Sequence, residues 1–258
     1  MKKYILDFVV RHNEKLGGRF GLLKLTPANG SQLPEIAAGQ FVQVSVDGSK
    51  TTFLRRPISI NFVDKVTNEL WLLIRNAGNG TEHLLSSKPG DVLNMVMPLG
   101  NGFPVEDATG RVLLVGGGVG TAPLLYLGKI LRDNGLDVNY LIGARTKDEL
   151  LMIDNLKEYG TVYISTDDGS AGDPGLVTQN KVWDEKWDRI YCCGPAPMMK
   201  GVARNARKSS TQCFVSLENM MACGVGACLC CVERTTKGNV CVCTEGPVFE
   251  INQLTWQD

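Results

Sequence analysis

The cysteines of this 258-residue chain are concentrated near its C-terminal end, and their spacing suits iron binding. Six of the nine lie between positions 223 and 243. Cys223-x4-Cys228-x2-Cys231, followed by Cys243, matches the C-x4-C-x2-C…C spacing of plant-type [2Fe–2S] sites. The sequence therefore predicts these four thiolates as the ligands of a [2Fe–2S] cluster.

Two further cysteines leave the ligand set open, because Cys230 or Cys241 could replace Cys231 or Cys243. The x2 spacing favours Cys231, and Cys243 is favoured because it directly precedes a Thr-Glu-Gly-Pro-Val-Phe segment. A structural zinc site is the alternative, since Cys228-x2-Cys231 and Cys241-x-Cys243 could form a tetrahedral set.

The residues around these cysteines are small or apolar. Gly224 and Gly226 tolerate positive φ, which would let the loop turn its N–H groups toward a cluster. Four large apolar residues also occur here: Met220, Met221, Val225 and Leu229. We expect a docking surface for a partner, since such residues near a metal centre are costly to expose; burial of the loop is the alternative.

A second candidate site combines an arginine with a glycine turn. In Arg56-Pro57-Ile58-Ser59 the guanidinium suits a pyrophosphate and the hydroxyl suits the N5 edge of a flavin. The segment 73–75 ends a strand, and a glycine turn at 78–81 opens a helix whose N–H groups could face the same diphosphate. An arginine pair exposed to solvent before a strand is the alternative. This second element contains Leu73, Ile74, Arg75, Gly80 and Thr81.

Two glycine-containing loops predict a dinucleotide site. The segment 115–123 joins a buried strand to a helix that Thr121 could cap, and 193–198 also ends a strand and opens a helix. Both should lie at the carboxyl edge of one parallel sheet, although two ordinary βα turns would look similar. The predicted contacts are Gly117, Gly118, Gly120, Thr121, Cys193, Gly194 and Pro195. Asp167 and Asp168 favour NAD over NADP, whereas Arg145 argues the other way.

The chain divides into three zones with different residue patterns, and these zones must position the candidate site residues. Residues 1–104 show short alternating runs, typical of an antiparallel flavin-binding β-barrel with one helix near residue 80. Residues 105–210 alternate strand with helix, which indicates a parallel-sheet α/β nucleotide-binding domain with helices near 149–159 and 197–207. Residues 211–258 form a small [2Fe–2S] domain. The predicted fold class is thus multidomain, α/β plus β.

Charge and hydropathy limit the partners. The formal net charge is zero, which gives no electrostatic support for nucleic acid or an anionic membrane. The longest uncharged stretch, 112–128, contains five glycines and a proline and is unsuited to spanning a bilayer. We expect a cytoplasmic protein. We predict no catalytic acid–base residue, because the two histidines, His12 and His83, lie on a strand edge and a surface helix.

The order of these motifs resembles the ferredoxin–NADP reductase superfamily. The segments 98–103, 166–170, 220–228 and 245–249 narrow the resemblance to the electron-transfer subunit of type B dihydroorotate dehydrogenase, over nearly the whole chain. It implies FAD, a [2Fe–2S] cluster and NAD as electron acceptor. By motif match, it also implies that the FAD contacts are Arg56, Pro57, Ile58, Ser59, Leu73, Ile74, Arg75, Gly80 and Thr81. It also implies a heterotetramer with an FMN-containing subunit that oxidises dihydroorotate in pyrimidine biosynthesis, and it places Cys193 near the nicotinamide.

Cys223 separates this chain from a similar family. The small subunit of NADH-dependent ferredoxin–NADP oxidoreductase has aspartate at the first cluster position, whereas this chain has cysteine; Cys230 departs from the commoner pattern. Two alternatives remain: an NAD(P)H–ferredoxin-type flavin reductase subunit, alone or in another complex, and a zinc-stabilised nucleotide-binding regulator.

Overall fold

A computed structural model describes residues 2–256, and the first part of this chain is a closed six-stranded barrel. Its strands are β1 (Tyr4–Lys15), β2 (Phe20–Pro27), β3 (Phe41–Val44), β4 (Arg56–Asp64), β5 (Glu69–Arg75) and β6 (Val92–Leu99). The order around the barrel is β1-β2-β5-β4-β3-β6, and all pairs are antiparallel. Helix α1 (Asn79–Leu85) follows β5. The predicted antiparallel barrel with one helix is confirmed.

The second part is a seven-stranded sheet. Its strands are β7 (Arg111–Gly117), β8 (Asp137–Ala144), β9 (Thr161–Thr166), β10 (Asp173–Pro174), β11 (Arg189–Cys193), β12 (Gln212–Ser216) and β15 (Val248–Glu250). The order is β10-β9-β8-β7-β11-β12-β15, and only the last pair, β12 with β15, is antiparallel. The helices are α2 (Ala122–Asp133), α3 (Ile153–Lys157) and α4 (Ala196–Lys208). The predicted parallel sheet is confirmed.

The cysteine-rich segment leaves this sheet after β12 and returns to it as β15. It contains the hairpin β13 (Val232–Thr235) and β14 (Gly238–Cys241), then the single-turn α5 (Val242–Glu245). The third zone therefore supplies two strands to the second sheet. The domain boundaries 1–104, 105–210 and 211–258 stay a prediction.

Two local expectations in the second zone were wrong. The helix expected over 149–159 is shorter, because Leu151 and Met152 turn into the core and Met152 adopts φ 59° just before α3 begins. Thr121 does not cap α2, since a 3₁₀ turn over Gly118–Thr121 precedes the helix and Thr121 already has helical φ. In both places tertiary packing overrides the local signal.

The barrel and the sheet share a packed boundary. Phe62 on β4 contacts Tyr126 of α2 at 5.8 Å between ring centroids, and the buried Asn61 Nδ2 donates to the Ala122 carbonyl at 2.9 Å. On another side, Phe41 of β3 belongs to a core cluster that includes Cys231 and Cys243. These contacts hold the cysteine segment and α2 against the barrel. Across residues 2–256, the structure contains no helix with the length and apolar character needed to cross a membrane.

Candidate functional site

The four cysteines predicted as cluster ligands lie in one region, in two pairs. The Cys243 amide donates to Cys231 Sγ at 3.4 Å, and both side chains are buried. Cys228 lies beside Cys223, since both its backbone and its side chain act to lower the pKa of the Cys223 thiol; Cys223 is half-buried and Cys228 is exposed. Within residues 2–256, no three Cys, His, Asp or Glu side chains converge to hold a single metal ion. Two pairs of thiols suit a core of two irons better than one tetrahedral zinc.

Backbone amides surround these sulfur atoms. The Val225 amide donates to Cys223 Sγ at 3.4 Å and the Gly226 amide donates to Cys243 Sγ at 3.2 Å. The Val225 amide, with further amides of the loop, lowers the pKa of Cys223 to about 6, whereas burial raises the pKa of Cys243 to about 12. Because the thiolate is the form of cysteine that binds metal, these shifts favour that form at Cys223 and the protonated thiol at Cys243.

The loop's backbone explains its glycines. Gly224 has φ 70° and Gly226 has φ 84°, so the predicted positive φ at both positions is confirmed. Leu229 also adopts φ 58°, which is uncommon for a residue with a branched side chain. These turns direct the amides inward toward the thiols.

The two competing cysteines differ in their surroundings. Cys230 is exposed at the surface, next to the buried Cys231. Cys241 is half-buried, and desolvation together with the neighbouring Cys231 raises its pKa. The assignment of Cys223, Cys228, Cys231 and Cys243 as ligands stays a prediction, which the pairing of thiols supports.

The paired arginines of the flavin motif have different surroundings. Arg55 Nη1 donates to the carbonyl of Asn94 at 2.9 Å and to that of Gln43 at 3.2 Å, so its guanidinium fastens β3 to β6. Arg56 instead runs over the first turn of α1, where a Cβ added to Gly80 would lie 2.7 Å from Arg56 Cδ. The guanidinium of Arg56 and the glycine turn thus meet on one surface, which fits a diphosphate.

The other predicted flavin contacts occupy varied positions. Ser59 is half-buried on β4, whereas Leu73 and Ile74 are buried on β5. Thr81 closes the turn before α1, because its hydroxyl accepts from the Ala77 amide at 2.8 Å and donates to the Gly78 carbonyl at 3.0 Å. Arg75 is exposed and reaches the cleft described next.

The two glycine-containing loops line one cleft of about 740 Å³. They approach so closely that a Cβ on Gly120 would collide with the Cys193 carbonyl, and a Cβ on Gly117 would collide with the Met198 sulfur. Five of the predicted contacts line the cleft: Gly117, Gly118, Gly120, Gly194 and Pro195. Thr121 and Cys193 are buried beside them. The expected common crevice at the carboxyl edge of the sheet is therefore present.

The lining of the cleft includes charges of both signs. Arg145 and Asp167 line it, as does Arg204 of α4. Asp168 turns away, because its carboxylate accepts from the Ser170 hydroxyl at 2.6 Å. Of the two adjacent aspartates considered for the ribose, Asp167 alone therefore lines the cleft.

Sequence reasoning did not single out Glu218, which faces the same cleft near Arg75. Its side chain keeps contact with solvent, but crowding by protein atoms desolvates the carboxyl and raises its pKa, with Arg75 opposing the shift. Its place two residues beyond the end of β12, at the carboxyl edge of the sheet, was the signal that could have identified it.

Two family models match parts of the chain. Residues 218–255 match the iron–sulfur cluster binding domain of dihydroorotate dehydrogenase B, and residues 114–204 match an oxidoreductase NAD-binding domain. A solved structure of an NADH-dependent reduced ferredoxin–NADP oxidoreductase superposes with a TM-score of 0.86 at 31% identity, covering 96% of this chain and 90% of that one. The FAD/NAD-binding domain of a nitric oxide dioxygenase from Vibrio cholerae shares the fold, with a TM-score of 0.69 at 21% identity over 80% of this chain and 94% of that chain. The fold and the site together define an oxidoreductase component that uses FAD, a [2Fe–2S] cluster and NAD.

Relatives identify the family. The dihydroorotate dehydrogenase B (NAD⁺) electron transfer subunit of Shouchella clausii is 41% identical over 225 residues, covering 84% of this chain and 85% of the relative. The subunit of the same name from Clostridium perfringens is 40% identical over 216 residues, covering 83% and 85%. The chain belongs to the family of dihydroorotate dehydrogenase B electron transfer subunits.

Proposed function

We propose that this chain carries electrons from the FMN of a separate dihydroorotate-oxidising subunit to NAD⁺, as a step of pyrimidine biosynthesis. When bound, FAD exchanges electron pairs with the nicotinamide and single electrons with the cluster, and so connects the two kinds of chemistry. The protein's part is to hold these groups close together and away from bulk water.

We assign the cofactor contacts by position. Cys223, Cys228, Cys231 and Cys243 would hold iron, and Arg56 with the turn before α1 would hold the flavin diphosphate. Ser59 would donate to the edge of the flavin ring. The glycine loops of the 740 Å³ cleft would take the diphosphate of NAD, with Asp167 at the ribose end.

One observation carries the proposal: the cysteine segment lies between the barrel and an exposed apolar face. Its buried side packs against Phe41 of β3, next to the flavin-binding strand β4. Its outer side exposes Met220 by 82%, Leu229 by 64% and Val225 by 45%, whereas Met221, which was also expected on this surface, is buried in the core. An apolar surface of this kind beside a metal centre is typical of a protein interface. A cluster here would be positioned to receive electrons from a partner and pass them to the flavin.

Reconstitution with the FMN-containing catalytic subunit tests the function. We expect the chain alone to bind FAD and iron and to oxidise NADH with an artificial acceptor, but to form no NADH from dihydroorotate and NAD⁺. Adding the catalytic subunit should produce that activity, and light scattering should show a complex with two copies of each chain. Absence of dihydroorotate-dependent NADH formation in a complex that contains both flavins would contradict the proposal.

Charge placed on the apolar face should prevent assembly. We expect Leu229→Asp to weaken binding to the catalytic subunit by at least about 10-fold, because burying an unpaired carboxylate costs several kcal/mol. The positive φ of Leu229 also suits aspartate, so the loop should keep its shape. Affinity would be measured by isothermal titration calorimetry.

Val66→Asp is the matched control, since Val66 is 95% exposed on the turn between β4 and β5, outside the cysteine segment. This variant should bind the catalytic subunit like wild type. Unchanged affinity of Leu229→Asp, with FAD and iron retained, would place the interface elsewhere.

A second candidate function is a subunit of another NAD(P)H–ferredoxin-type reductase, which the 31% identity to the ferredoxin–NADP oxidoreductase structure favours. Cys223 at the first ligand position argues for the dihydroorotate complex. Comparing ferredoxin with the FMN-containing subunit as partners in the same NADH assay would separate the two. We also propose a cytoplasmic location, where the cysteine ligands of an iron–sulfur cluster stay reduced.

A further inference from the structure

Gln43 of β3 is fully buried, and its side-chain amide makes no hydrogen bond to the described part of the chain. Its relative exposure is 0%, and neither Oε1 nor Nε2 has a hydrogen-bond partner among residues 2–256. A buried primary amide without partners is costly, and native proteins rarely tolerate one. The side chain is therefore placed for a partner beyond the polypeptide alone.

The position of Gln43 indicates what that partner is. It pairs directly with Pro57 of the flavin motif, and Phe41, two residues before it, pairs with Ser59. Residues paired across antiparallel strands share a face, so Gln43 lies on the face of β3 and β4 that carries Pro57 and Ser59. Phe41 on this same face packs with the core cluster that contains Cys231 and Cys243.

The cysteine loop directly covers the Gln43 side chain. A Cβ added to Gly224 would lie 2.7 Å from Gln43 Cγ and 3.3 Å from Gln43 Nε2. Gly224 adjoins Cys223 and has φ 70°, so the loop's backbone turns sharply over the amide. Gln43 is thus placed between the flavin-binding strand and the cysteine loop, with its amide group on the loop side.

We propose that the Gln43 amide is a positioning group for the iron–sulfur cluster, donating an N–H to a sulfur atom of the cysteine loop once the cluster is bound. This inference rests on the proposed function, since it requires a cluster at these cysteines. Sulfur atoms of a bound cluster carry negative charge and accept hydrogen bonds, and such bonds raise the reduction potential by stabilising the reduced form. Gln43 would then adjust how readily the cluster accepts an electron beside the flavin.

Gln43→Met tests this, because methionine has a similar length and no donor. We expect the equilibrium constant for cluster reduction to fall at least threefold in a redox titration followed by electron paramagnetic resonance, about 28 mV at 59 mV per tenfold change. A smaller change in a variant that retains its cluster would overturn the proposal, and would indicate that Gln43 only packs or binds a water. Gln43→Leu is the second variant, judged by the same criterion.

Gln40 provides a matched control on the neighbouring stretch of chain. It is also buried, but Oε1 accepts from the Ala37 amide at 2.8 Å and Nε2 donates to the Gly100 carbonyl at 2.7 Å. Gln40→Met should lower the melting temperature and leave the cluster potential unchanged. A shift in potential equal to that of Gln43→Met would show a general packing effect and overturn the proposal.

A measurement on the wild-type chain does not depend on any variant folding. With glutamine labelled at the side-chain ¹⁵N, pulsed electron paramagnetic resonance of the reduced cluster should show a ¹⁵N coupling, and its absence would overturn the proposal. A wild-type chain that binds no iron would instead refute the cluster itself, so the two failures are distinguishable.

Discussion

Cys231→Ala should lose the cluster while the adjacent Cys230→Ala keeps it. Cys231 is buried, and its sulfur accepts a hydrogen bond from the Cys243 amide at 3.4 Å, whereas Cys230 is exposed. Changes in outer-shell partners alone cost about 10–100-fold in metal affinity, so removing a ligand should cost more than about 100-fold. Iron content and visible absorption of anaerobically purified protein would show the difference, with FAD content unchanged in both variants.

Cys241→Ala and Cys243→Ala form a second matched pair for the last ligand. Iron should be lost from the Cys243 variant and retained by the Cys241 variant, because the Gly226 amide donates to the sulfur of Cys243 at 3.2 Å. The reverse result would exchange the two assignments and leave the cluster in place. Zinc instead of iron in protein from iron-replete cells would contradict the cluster.

Arg56→Ala should weaken FAD binding while Arg55→Ala should mainly weaken the fold. Hydrogen bonds to charged groups contribute about 1.5–3 kcal/mol, so losing the proposed contact between Arg56 and the flavin diphosphate should raise the Kd for FAD about 10–150-fold. Flavin fluorescence during titration of the apoprotein would measure it.

Arg55 is the natural comparison, since it is the preceding arginine with a different environment. Its bonds to the Asn94 and Gln43 carbonyls are internal to the barrel, so Arg55→Ala should lower the melting temperature and change the FAD affinity of the folded protein less than about threefold. Equal losses of FAD affinity in both variants would show that the two guanidiniums act together.

The barrel and the parallel sheet could be predicted because their signals are local. Short alternating runs predicted an antiparallel barrel within residues 1–104, and all six of its strands lie there, from β1 to β6. The glycine loops were placed correctly at one sheet edge, since the carboxyl ends of parallel strands must lie together. Cysteine spacing alone identified the region that matches the iron–sulfur family model.

Features that depend on contacts between residues far apart in the sequence were not predicted. Nothing in the local sequence shows that Val248–Glu250 pairs with β12, or that Gln43 meets a loop about 180 residues later along the chain. Thr121 has the residue type of a helix cap, but the close approach of Gly120 to Cys193 favours a tight turn there instead. The spacing of cysteines in the sequence can suggest metal ligands. The burial of each cysteine and its pairing with another are known only from the folded structure.

Because the chain returns to the parallel sheet as β15, both ends of the cysteine-rich segment are attached to the same sheet. Its two ends are β12 and β15, which pair through Ser216 with Val248, so the residues between them form one excursion from a single edge of the sheet. Further bonds hold the base of that excursion, including Leu217 N to the Pro247 carbonyl at 2.9 Å. Removal of the cluster should then loosen only the segment between β12 and β15. The barrel and the parallel sheet should stay folded, so that the segment could bind a cluster again.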